Sequence, residues 1–192
     1  MYYAGPGIIL AVVFWAMLTL VVAGGVVFSV LSVKGGRWMT IATGAFLLVA
    51  VVMVGLPHPG GPSVLGAVLA LGAVAISAFG GSPAVRTVLA LATRQIEGQA
   101  GGILVAPRDA TEPGEKREVL RGGLTIGILE RIGTTASILA GVPEAIAVII
   151  AIKGVGRFSE LGASEAQERF IIGTLVSLGW AALCGALAHL VW

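Results

Sequence analysis

The chain has 192 residues, 57% of them hydrophobic and 11% charged, with a formal net charge of +2. Soluble domains carry about 25% charged residues, and a chain this short has too little interior to hide so much apolar surface, so the composition points to a bilayer. The weak net charge gives no basis for nucleic-acid binding, and a single cysteine, Cys184, excludes an internal disulfide and a cysteine metal cluster.

The composition predicts an all-α integral membrane protein: one transmembrane domain over residues 1–192, with about six transmembrane helices and a short interfacial helix. A span needs about 20 apolar residues. Residues 8–31 supply the first. Residues 1–33 carry no charge, so the run lacks the basic flank of a secretory signal and reads as a retained helix. Lys34-Gly35-Gly36-Arg37 makes a tight basic turn into a second span over 38–56. The segment Leu56-Pro57-His58-Pro59-Gly60-Gly61-Pro62 stops that span, because proline and glycine continue a helix only at a cost. A third span covers 63–80. Gly80-Gly81 is expected to end it, with Ser82 and Pro83 as cap and first residue of a new helix. That helix, residues 84–97, is short and amphipathic, which fits the membrane interface.

Residues 98–117, rich in glycine, proline and mixed charge, are expected to be a solvated connector. Between Arg86 and Arg121 lie 6 basic and 5 acidic residues, half the charge of the chain. The fourth, fifth and sixth spans are expected over 119–141, 143–161 and 167–192. A five-span alternative would make 132–152 one helix, with Pro143 in its middle. Basic residues in the loops set orientation. Lys34 and Arg37 occupy the first loop, six basic residues the third, and Arg157 and Arg169 the fifth, while the second and fourth have none. This alternation predicts both termini outside. Nine arginines against three lysines, in a chain rich in Ala, Gly and Val, point by composition to a GC-rich bacterial genome, and so to a bacterial cytoplasmic membrane.

The last three spans pose the functional question, because they carry Glu130, Arg131, Glu144, Lys153, Arg157, Glu160, Glu168 and Arg169. At 1.5 Å per residue, Glu130 lies roughly 13 Å past Arg121 and Lys153 about 15 Å past Pro143, on antiparallel helices. Equal depth predicts that these two pair. Lys153, Arg157 and Glu160 fall one turn apart and form a polar stripe, whereas Arg131 points about 100° away from Glu130. An unpaired charge at this depth costs about 2.5–3.5 kcal/mol, so the groups must face protein, water or each other. Gly173, Ser177, Ala181 and Gly185 recur every four residues on the sixth span, and Gly123 and Gly127 lie on the fourth. Such ridges allow close helix approach within the chain or in an oligomer.

No zinc motif HExxH, nucleophile elbow GxSxG or Walker loop occurs. The one aspartate, Asp109, excludes aspartate-rich catalytic motifs, and His58 and His189 are isolated. No cofactor is implied. The stretches "LER", "PEAIAVIIAIKGVGRF" and "ERFIIGTLVSLGWA" resemble the C-terminal part of bacterial polytopic membrane proteins classed as domains of unknown function. The resemblance covers residues 127–182 and implies a shared charged pattern without an activity. Three functions are expected from the residues. The first is binding or transport of an anionic ligand or lipid headgroup at the basic stripe. The second is a structural or accessory subunit whose charges dock helices or a partner. The third, weakest, is a lipid-modifying enzyme.

Overall fold

A computed structural model describes residues 6–93, 123–157 and 164–192. Among them the chain forms six helices and no strand: α1 Pro6–Lys34, α2 Arg37–Gly55, α3 Ser63–Thr93, α4 Gly123–Leu139, α5 Ala145–Arg157 and α6 Ser164–Val191. Four of them, α1, α2, α3 and α6, are long and apolar enough to cross a membrane. The other two, α4 with 17 and α5 with 13 described residues, fall below the length of about 20 that a span requires. The connector expected over 98–117 lies outside the described residues.

The bundle is built around α3, which packs on α1, α2, α4 and α6, while α5 packs on α4 alone among the described elements. Its core has two halves. Toward the 56–62 turn it is apolar, with Leu18 and Val22 of α1, Leu47 and Ala50 of α2, Ala73 and Ile76 of α3, and Leu187 of α6 buried together. That turn folds back on α1: Trp15 Nε1 donates to the Pro59 carbonyl at 3.1 Å, and His58 stacks on Phe14 at 5.3 Å between ring centroids. The other half, toward the 34–37 turn, buries Ser29, Ser32, Thr43, Ser77, Thr135 and Arg131. Outward surfaces are strongly apolar, with Leu20 72% and Val64 74% exposed, as lipid contact requires.

The break expected at Gly80-Gly81-Ser82-Pro83 does not occur. Helix α3 runs through Pro83 to Thr93, so residues 84–93 are its last turns and not a separate interfacial helix. In an apolar bundle a proline is tolerated inside a helix because neighbours satisfy the freed backbone groups. The two glycines serve approach and not termination. A side chain at Gly80 would meet the Trp180 ring of α6, and one at Gly81 would collide with Arg131 of α4. Trp180 Nε1 donates to the Ile76 carbonyl at 3.1 Å, fixing α6 against α3.

Residues 132–152 are two helices. Helix α4 ends in a Schellman motif: Val142 N–H donates to the Ser137 carbonyl at 2.9 Å and Gly141 N–H to that of Ile138 at 3.0 Å. Gly141 holds φ of 72°, and Pro143 follows as a stop. The small-residue ridge of α6 is occupied inside the chain. Gly173 lies against Val85 and Leu89, Ser177 and Ala181 are buried, and Gly185 lies against Ile138.

Nothing lies within 4 Å of the position a Cβ would take at Gly141, so a substitution there acts through the backbone alone. Left-handed φ costs an L-residue about 1–2 kcal/mol. Gly141→Ala is expected to lower unfolding free energy in detergent by that amount, and Gly141→Asn by less. An unchanged Gly141→Ala protein would show that the turn is not held in this conformation.

Candidate functional site

Glu130 and Lys153 meet, as their matching depth predicts. Lys153 Nζ lies 2.5 Å from Glu130 Oε2, with the carboxylate side chain 8% and the lysine 18% exposed. The ammonium also stands 5.7 Å from the centroid of the Phe170 ring. This one side chain therefore ties α5 to α4 by charge and to α6 by a cation–π contact. Glu130 Oε1 has no hydrogen-bond partner among the described residues. The pair carries unusual weight because, among the described elements, the α5 backbone packs on α4 alone.

Arg131 takes a different direction, as a 100° step along the helix dictates. It is 2% exposed and enters the seam between α3 and α6. Its Nη2 donates to the Ala78 carbonyl at 3.0 Å and to Ser82 Oγ at 2.8 Å, and its Nη1 to Ser177 Oγ at 3.2 Å. All three acceptors are neutral. A guanidinium does not release its proton in a protein, so these dipoles must replace water around a full charge. The planar fork reaches acceptors on two helices at once, which a single ammonium cannot do. Gly81 leaves room for its stem, and Gly127, one turn earlier on α4, for its Nη1. One turn beyond, Thr135 Oγ1 donates to Ser77 Oγ at 2.7 Å and lies 3.1 Å from the Ala181 carbonyl. Ser77 Oγ in turn lies 3.4 Å from the Arg131 carbonyl. Arginine, threonine and three serines thus form one polar staple through α3, α4 and α6.

Of the remaining residues of the expected cluster, Glu144 and Glu168 do not join this staple. Glu144 is exposed in the turn before α5, and Glu168 is exposed on α6. Arg169 is 2% exposed within α6. Arg157 closes α5, and its side chain, like Glu160, lies outside the described residues. The stripe of Lys153, Arg157 and Glu160 is therefore described only at Lys153. Sequence reading missed Ser77, Ser82 and Thr135. Ser82 had been read as a helix cap, and hydroxyls scattered through apolar spans carry no spacing that assigns them to an arginine on another helix. Phe170 was missed because its contact is set by the reach of Lys153.

The chain matches no protein-family model, no curated protein and no solved structure. What can be said of the site rests on its geometry.

Removing one member of a buried pair leaves an uncompensated charge and costs about 3–5 kcal/mol. Glu130→Gln and Lys153→Met are each expected to destabilise the protein by that order, and the double variant to recover much of the loss. Thermal unfolding of the four proteins in detergent measures the coupling. Simple addition of the two losses would mean that the residues do not act as partners.

Proposed function

We propose that this chain is a six-span protein of a bacterial cytoplasmic membrane, with both termini outside, acting as a structural or accessory subunit of a membrane assembly. In this reading α4 and α5 complete the six spans, α4 together with the residues before Gly123 and α5 as a short antiparallel return. The charges then serve to lock helices and not to hold a substrate. The observation that carries this is the use of the Arg131 fork: its terminal nitrogens are directed at Ala78, Ser82 and Ser177 inside the chain. Lys153 is likewise engaged with Glu130 and Phe170.

A second reading, binding or transport of an anion or lipid headgroup at these residues, has one observation in its favour. Arg131 touches no carboxylate among the described residues, and its Nε lacks a hydrogen-bond partner there. The anion would then have to enter the seam between α3 and α6.

Arg131→Lys keeps the charge and loses the fork. Each hydrogen bond to a charged group contributes about 1.5–3 kcal/mol, so the variant is expected to melt at distinctly lower temperature. In the subunit reading, added sodium phosphate shifts the melting temperature of both proteins equally. A stabilisation of the native protein that Arg131→Lys abolishes would favour the ligand reading, because a bound ligand stabilises by mass action. Native mass spectrometry of the intact protein in mild detergent should show a stoichiometric second subunit. For the orientation, a reporter that works only in the cytoplasm should be inactive when fused after Trp192. Activity there would overturn the six-span topology.

A further inference from the structure

Arg131 and Lys153 are paired or hydrogen-bonded inside the bundle, whereas Lys34 and Arg37 at the α1–α2 corner stand at its surface. Lys34 ends α1 and Arg37 begins α2, and both are exposed. Arg86 arrives from α3, its Nη2 3.4 Å from the carbonyl of Val33. The tertiary fold thus brings three cations, two from one turn and one from far along the chain, to a single corner. None of the three has an acidic partner among the described residues.

An aromatic residue marks the boundary beneath them. Trp38 is 73% exposed, and the Arg37 guanidinium lies 5.7 Å from its ring centroid. A tryptophan turned outward at this point suits the headgroup level of a bilayer. Below Trp38 the outer face of α2 continues as an apolar stripe, with Ile41 52%, Leu48 60% and Val52 53% exposed. From Trp38 to Val52 the stripe runs about 21 Å at helical rise, enough to line one leaflet of a core about 30 Å thick. Cations above, a ring at the boundary and an apolar track below follow the shape of one phospholipid.

We propose that Lys34, Arg37 and Arg86, with Trp38 beneath them, form a binding site for the phosphodiester headgroup of an anionic phospholipid. Its chains lie along the outer face of α2. The guanidinium groups donate paired N–H bonds to the phosphate oxygens, and Lys34 adds a point charge. A zwitterionic lipid brings its own cation to this corner and is disfavoured. The site rests on the bilayer placement proposed above and is independent of the role given to Arg131.

The test uses the intact protein in detergent with equal amounts of phosphatidylglycerol and phosphatidylcholine, read by native mass spectrometry. The native protein is expected to retain phosphatidylglycerol in preference. Each basic residue near the membrane surface contributes about 1 kcal/mol, so Lys34→Gln and Arg37→Gln should each weaken retention about fivefold. Both side chains are exposed, so these variants keep the fold, and an unchanged melting temperature verifies it. Arg131→Lys should leave the preference intact. Equal retention of the two lipids, or full retention by the Lys34→Gln/Arg37→Gln protein, overturns the proposal. Displacement of the lipid by inorganic phosphate at matched concentration also overturns it, since the site would then hold a free anion. A preference lost only in Arg131→Lys would place the lipid at the buried cluster, against both this proposal and the subunit reading.

Discussion

A guanidinium that cannot lose its proton sits at 2% exposure in the middle of this bundle, and the arrangement of α3, α4 and α6 follows from it. Without water, the charge must be solvated by fixed dipoles, and each dipole must arrive on a helix held at the right distance and rotation. Ala78 and Ser82 supply this from α3, and Ser177 from α6. Gly81 has no side chain because the arginine stem occupies that space. A rotation of α3 by one residue would turn Ser82 away and leave the charge uncovered.

The apolar half of the core makes no such demand. Leucine, valine and alanine side chains can interdigitate in several registers, and lipid tails compete with them on nearly equal terms, so apolar packing alone selects a register weakly. The staple of Arg131, Ser77, Ser82, Thr135 and Ser177 adds what is missing, since each member has few acceptable neighbours. Here polar groups specify the packing and apolar groups fill it. The cost is a stretch of interior whose polar atoms must nearly all be matched, because each mismatch is expensive where water is absent.

Much of this was legible in the residues. The apolar runs located α1, α2 and α6, and Pro143 marked the boundary between α4 and α5. Counting depth from Arg121 and Pro143 brought Glu130 to Lys153, because helical rise is constant and the two helices are antiparallel. Pro83 misled for a physical reason. Its cost in a helix is measured against solvated backbone, whereas here α3, packed among neighbouring helices, continues through it, and the preceding glycines admit Trp180 and Arg131. The partners of Arg131 were illegible because a serine in an apolar span gives no sign of which helix it will face. The rotation of α4 against α3 and α6 decides that, and sequence periodicity does not encode rotation between separate helices.

The Schellman turn at Gly141 joins α4 to α5, and the described part of each is shorter than a span. Each also carries a charge that lipid would reject. In the six-span reading the hairpin presents Glu130 and Lys153 to each other, so these two charges offset one another, while Arg131 is left to be matched by α3 and α6. In that reading the order of biogenesis is constrained. The α4–α5 hairpin must be released as a pair, and α6 must follow closely enough to bring Ser177 to Arg131. A delay between them would strand an arginine in the bilayer, and quality-control proteases that watch for unassembled charged helices would have a target.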